Sequence, residues 1–184
     1  SMLRRFIYRN GLAASYALPV PLIIIGNISV GGTGKTPLLI GLCEYLARRG
    51  LKPGVISRGY GATVNGEHTV AENDNAQTCG DEPLLIKQRT ACPVVIGKDR
   101  VAAARKLLAE FDCDVILSDD GMQHYRLQRD VEIAVVDSAR KFGNGFCLPA
   151  GPLREPRSRL RKVDMVVQHG GSDDNYHFTL RFEP

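Results

Sequence analysis

The sequence predicts an α/β fold, a three-layer sandwich around a mostly parallel sheet. Two observations lead there. Apolar runs of strand length alternate along the chain with segments of helical period, the pattern left by strands joined through crossover helices. The first of these runs, Val20–Ile25, also passes through a glycine-rich loop, Gly26–Pro37 (GNISVGGTGKTP), into an amphipathic segment, Leu38–Arg49. A strand, a glycine-rich loop and a helix in that order are the elements of a P-loop NTPase-like domain. In such a loop the backbone N–H groups converge on phosphate oxygens at the positive end of a helix.

The loop assigns its own residues. Gly31, Gly32, Thr33 and Gly34 supply the phosphate cradle, Lys35 reaches the outer phosphates, and the Thr36 hydroxyl is placed to ligate Mg²⁺. The match to G-x-x-x-x-G-K-[ST] is imperfect, because Ser29 stands at the first glycine position.

Bulk properties are those of one globular unit. The chain has 184 residues, 43% hydrophobic and 24% charged, enough for a sizeable core. A net charge of +4 does not point to nucleic acid as the main partner and fits anionic small molecules or an anionic membrane surface. Five cysteines, an odd number with no C-x-x-C pair, read as reduced thiols acting as small hydrophobes.

Upstream of the first strand, Leu3–Tyr16 mixes Arg4, Arg5 and Arg9 with Phe6, Ile7, Leu12 and Tyr16. This reads as a short basic amphipathic helix, able to lie on an anionic membrane or on its own domain. Residues 1–18 are therefore taken as an N-terminal segment and 19–184 as the nucleotide-binding domain.

After the first helix, closed by Gly50, Pro53–Ser57 is a short strand that opens into Arg58-Gly59-Tyr60-Gly61. Ligands bind at the carboxyl ends of strands in such sheets, so Arg58 is a candidate phosphate or substrate contact. Asn65-Gly66 is a hairpin signal. Gly80-Asp81-Glu82-Pro83 begins a helix continuing to Arg89, with Asp81 and Glu82 suited to its first turn. Val94–Ile96 is a strand; Asp99 caps the alanine-rich helix Val101–Glu110, and Arg100 faces a ligand or solvent.

Asp114–Leu117 is a buried strand running into Ser118-Asp119-Asp120-Gly121-Met122-Gln123-His124. Apolar residues ending at an acid are the Walker B pattern, so Asp119 and Asp120 are read as metal-handling. Val131–Val136 ends at Asp137. Next comes the long Gly/Pro-rich stretch Phe142–Pro156, in which Arg154 and Glu155 lie between two prolines. Arg159, Arg161 and Lys162 read as a solvated helix face. Val163–Val167 and Tyr176–Phe182 are the last two strands.

Three kinds of P-loop protein compete. A GTPase needs an N/T-K-x-D tetrapeptide, which does not occur. A P-loop ATPase or adaptor acting on a protein partner shares GGTGKT. A small-molecule kinase needs an acid near the acceptor hydroxyl and cationic clamps, for which Asp81, Arg58, Arg100 and Arg154 are available.

Taken together and in order, GNISVGGTGKTP, SRGYG, GDEP, GKDR, SDDGMQHYRL and LPAGPLREP resemble the tetraacyldisaccharide 4′-kinase (lipid A 4′-kinase) family, from about Arg4 to Val167. The resemblance implies transfer of the ATP γ-phosphate to the 4′-hydroxyl of a lipid A disaccharide precursor. It also implies peripheral binding at the cytoplasmic face of the bacterial inner membrane. It gives Asp81 the role of base, with Glu82 beside it, and places Arg100, Gln123, His124, Arg154 and Glu155 in the cleft. Family members carry an N-terminal apolar anchor and a second lobe, so the chain is expected to represent the nucleotide-binding lobe, with reduced activity on its own.

Overall fold

The computed structural model describes residues 7–8 and 12–170, together with the backbone of 178–180. Eight strands form one sheet: β1 (Leu22–Gly26), β2 (Pro53–Ser57), β3 (His68–Thr69), β4 (Val94–Ile96), β5 (Val115–Asp119), β6 (Val131–Asp137), β7 (Met165–His169) and β8 (Phe178–Leu180). Their order is β3-β4-β2-β5-β1-β6-β7-β8. Every pairing is parallel except β3 with β4. The helices are α1 (Lys35–Arg48), α2 (Ala76–Cys79), α3 (Asp81–Arg89) and α4 (Arg100–Glu110), with a 3-10 helix at Arg157–Lys162.

Alternation along the strands divides the core into two layers, because successive side chains point to opposite faces. Leu22, Ile24, Ile56, Val95 and Ile116 pack with Val101, Ala104 and Leu107 of α4 on one face. Ile25, Val55, Val94, Leu117 and Val135 pack with Leu39 and Cys43 of α1 and Ile86 of α3 on the other. This is the expected three-layer α/β sandwich. All five cysteines are free thiols; Cys43, Cys79, Cys92 and Cys113 are buried, the first three in the α1 layer.

Most predicted elements recur with shifted ends. Helix α1 starts at Lys35, three residues before its apolar pattern begins, since Pro37 in the first turn costs no helical hydrogen bond. Gly50 ends it at φ +83°, its N–H bonded to Ala47 O at 2.9 Å. Two expectations are corrected. Gly66 does turn at φ +82°, but no hairpin pairs across it; β3 pairs instead with β4, through His68 opposite Ile96. Arg159 is not solvated: it is 2% exposed, because Glu132 and Glu155 draw it inward.

Of the basic N-terminal segment, residues 1–6 and 9–11 lie outside the described residues, as do 176–177 and 181–182 of the last predicted strand. Tyr16 is bridged to Leu127 and, with Leu18, packs on the α4 layer. Among the described residues no helix is long and apolar enough to cross a membrane.

Candidate active site

The carboxyl ends of β1, β2 and β5 open into one cleft of about 760 Å³. The glycine-rich loop between β1 and α1 forms one wall. Its shape is held from within by Asn27, fully buried, whose Nδ2 donates to Gly31 O (3.3 Å) and Thr33 Oγ1 (3.1 Å). From outside, the Gly/Pro-rich stretch lies against it. Val30 N donates to Pro152 O at 2.9 Å, Arg154 N to Ile28 O at 2.7 Å, and Ser29 bridges Leu153. Gly34 caps α1 at φ +82°, with no side chain bonded to the helix end, so the first-turn N–H groups are left for an anion.

Lys35 is 8% exposed, and its Nζ lies 3.7 Å from Asp120 Oδ1. Asp119 ends β5, 1% exposed; Asp120 follows in the left-handed region at φ +49° and accepts from Arg154 Nη1 at 2.8 Å. The two acids have opposite electrostatics. Burial, then the charge of Glu82, pushes the Asp119 carboxyl up to about 7; Asp120 adds to this, while Lys35 and Arg100 oppose it. Burial also works to raise Asp120, but Lys35 and Arg154 outweigh it and hold its carboxyl below the ordinary carboxylate value. Oδ1 of each acid is buried without a hydrogen-bond partner.

On the opposite wall, Gly80 sits at φ +90°, and a Cβ there would stand 2.6 Å from Tyr60 O. This close approach joins the SRGYG and GDEP loops and brings Arg58, Asp81 and Glu82 into the cleft. Asp81 and Glu82 are exposed in the first turn of α3. Asp99 caps α4 through Val101 N at 2.9 Å, which turns Arg100 inward. Arg100 is 1% exposed and donates to Gly97 O and Asp119 O at 3.0 Å each; its Nε has no partner. Burial lowers its guanidinium to about 10.

The cleft thus gathers Gly31, Gly32, Lys35, Arg58, Asp81, Glu82, Arg100, Asp119, Asp120, Gln123 and Arg154. Thr33, Gly34 and Thr36 belong to its glycine-rich wall without lining the cavity. His124 and Glu155 do not line it either. The His124 carbonyl accepts from Arg129, and Glu155 is buried behind Gln123. Ser57, Tyr60 and Leu148 also line the cleft and escaped the sequence reading. Only the strand-end position of Ser57 could have signalled its place.

A phosphate-binding loop beside strand-end acids, in a cleft with clustered cations, defines a nucleotide-binding domain of the P-loop kinase class. Residues 1–181 match the family described as tetraacyldisaccharide-1-P 4′-kinase, and the chain belongs to that family. It is 52% identical over 184 residues to the tetraacyldisaccharide 4′-kinase of Shewanella pealeana, covering all of this chain and 56% of that protein. It is 54% identical over 169 residues to the Nitrosococcus oceani enzyme, covering 91% of this chain and 50% of the relative. The chain therefore spans about half the length of these curated relatives. The crystal structure of "apo" form LpxK from Aquifex aeolicus in complex with ATP superposes with a TM-score of 0.82 at 33% identity, over 91% of this chain and 53% of that one.

Proposed function

We propose that this chain is the nucleotide-binding lobe of a kinase that moves the γ-phosphoryl group of ATP to the 4′-hydroxyl of a tetraacyldisaccharide 1-phosphate in lipid A biosynthesis. The observation that carries this reading is the cleft itself. The phosphate loop and the strand-end acids stand on one side, and Asp81 stands on the other at the mouth of α3. Family membership and the ATP-bound relative support it.

In this reading the loop amides and Lys35 hold the β- and γ-phosphates. Arg100, Arg58 and Arg154 neutralise charge that spreads over the transferring group. Asp81 accepts the proton of the 4′-hydroxyl as its oxygen bonds to phosphorus and the bond to ADP breaks, with Glu82 beside it. Phosphoryl transfer asks little covalent chemistry of the protein, so positioning does most of the work.

The residues present also fit a magnesium ion. Asp119 Oδ1 and Asp120 Oδ1 are buried without a hydrogen-bond partner, and Thr36 stands in the first turn of α1. Among the described residues no cluster of three or more His, Cys, Asp or Glu side chains is built for a metal. A pair of carboxylates fits Mg²⁺, which takes one or two of them and completes its shell with phosphates and water. Thr36, Asp119 and Asp120 would hold it, and when bound it would supply neutralisation of phosphate charge.

An amphiphilic acceptor is supported by the rim, where Tyr60 (86% exposed) and Leu148 (56%) present apolar surface. With the basic N-terminal segment, this surface supports peripheral binding at the anionic cytoplasmic face of the inner membrane. Flotation with anionic and zwitterionic vesicles tests that part: equal recovery with both removes the electrostatic contribution. For the reaction, radiolabelled ATP is supplied with the disaccharide acceptor to this chain and to a version extended to the length of its relatives. Labelled lipid from the extended protein is expected. Hydrolysis independent of acceptor, without lipid product, would sink the kinase reading and favour an ATPase.

A further inference from the structure

Behind the acid loop lies a cluster of buried charge that the reaction above does not use. Arg159 Nη2 stands 2.5 Å from both carboxylate oxygens of Glu132 in β6, and its Nε faces Glu155 Oε2 across 3.4 Å. Glu132 also accepts from Arg129 Nη1 at 2.8 Å, and the Arg129 guanidinium donates to the carbonyls of Met122, His124 and Leu127. Glu155 accepts from Tyr125 Oη at 2.6 Å and from Gln123 Nε2 at 2.8 Å. The same Gln123 nitrogen reaches Asn27 O at 3.3 Å, and Asn27 is the residue that holds the glycine-rich loop from within.

A path therefore runs from Arg159 to the phosphate loop, its first step the ion pair with Glu155 and the rest hydrogen bonds through Gln123 and Asn27. Stability alone gives a poor reason for it. Taking four charges out of water costs several kcal/mol per ion, and apolar replacements of such clusters are often neutral or stabilising. What apolar side chains cannot do is choose the orientation of an amide. The terminal torsion of glutamine is broad, and only a fixed acceptor keeps its NH₂ pointing at both Glu155 and Asn27.

We infer that Arg159 is a positioning residue for nucleotide binding: by holding Glu155 it orients Gln123 against Asn27 and keeps the Gly31–Thr33 cradle in its binding shape. This rests on the reading of the glycine-rich loop as a nucleotide site. Arg159 does not line the cleft; it acts through Glu155, Gln123 and Asn27.

The test is calorimetric titration of Mg-ADP into this chain, with melting temperatures recorded for each variant. Arg159→Met and Gln123→Ala are each expected to weaken binding about tenfold, the scale of one buried polar group losing its partner. The double variant is expected to lose about the same tenfold, because both changes cut one path, whereas independent losses would multiply to about a hundredfold. Arg159→Lys, which keeps the charge without the fork, restores part of the affinity. Multiplicative losses would overturn the inference, as would wild-type affinity in an Arg159→Met chain that melts like wild type. If Arg159→Met does not fold, Arg159→Lys takes its place against Gln123→Ala with the same two outcomes. Absence of Mg-ADP binding by the wild-type chain would instead sink the nucleotide-site reading, and the inference with it.

Discussion

Raising the pH across the acidic and neutral range, with divalent cations chelated, should destabilise this protein through Asp119. The carboxyl is 1% exposed, and its Oδ1 has no hydrogen-bond partner. Burial and the neighbouring Glu82 move it from the ordinary 3.8 to about 7. The folded state therefore keeps a proton that the unfolded chain releases above pH 3.8. Stability from this group is whole below that value and is lost as pH rises through about 7. A gap of about three pH units, at about 1.4 kcal/mol each, amounts to about 4 kcal/mol. Asp120, Asp99 and Asp74 are shifted the other way, so their contributions disappear only in more acidic solution. Urea unfolding at a series of pH values in EDTA measures the effect. The wild-type midpoint should fall steadily from about pH 5 to about pH 7, and Asp119→Asn should be flat across that window. Saturating Mg-ADP should remove the slope, because a bound cation keeps the carboxylate ionised. A flat wild-type profile, or the same slope in Asp119→Asn, would refute the assignment.

Three further outcomes are expected. Gly80→Ala forces a Cβ to 2.6 Å from the Tyr60 carbonyl at φ +90°, and backbone cannot swing aside; melting should reveal a loss of more than about 2 kcal/mol. Asp81→Ala in the extended protein should lower kcat far more than it changes ATP affinity, with little change in melting, since the side chain is exposed; equal losses in both parameters would make Asp81 structural. Asp99→Ala removes the cap of α4 and should cost about 1–2 kcal/mol of stability, leaving catalysis to follow only from any displacement of Arg100.

Much of the fold was legible because parallel sheets write themselves as short continuous apolar runs between helical periods. The runs at 22–26, 53–57, 94–96, 115–119 and 131–137 needed no long-range information to be seen. The site was legible for the same reason: in such a sheet, residues that follow strands share one rim, so Lys35, Arg58 and Asp119 meet although they are far apart in sequence. What local pattern could not supply was partnership at a distance. Arg159 sits in a basic run that looks solvated, and its partner Glu132 lies 27 positions away on another element. Gly66 looks like a hairpin because its neighbours are polar, yet the strand that β3 joins comes only after two helices. Arg100 stayed ambiguous even with Asp99 read as the cap, because its inward turn depends on the Asp119 carbonyl at the end of a distant strand.

The segment that lies against the glycine-rich loop also bears on how chain length can vary. Residues 152–155 meet that loop through Val30 and Ile28 and meet the acid loop through Arg154 and Gln123. The tip just before it, residues 143–146, is exposed and turns at Gly143 and Gly145. The tip is nevertheless tied to the same segment, Asn144 Nδ2 donating to Ala150 O at 2.9 Å and Leu153 N to Phe146 O at 3.1 Å, so added length there leaves the two loops in register only if both bonds are kept. A single added residue between Pro152 and Pro156 would displace the glycine-rich loop and the acid loop at once, so length variation in this stretch should be tolerated least there.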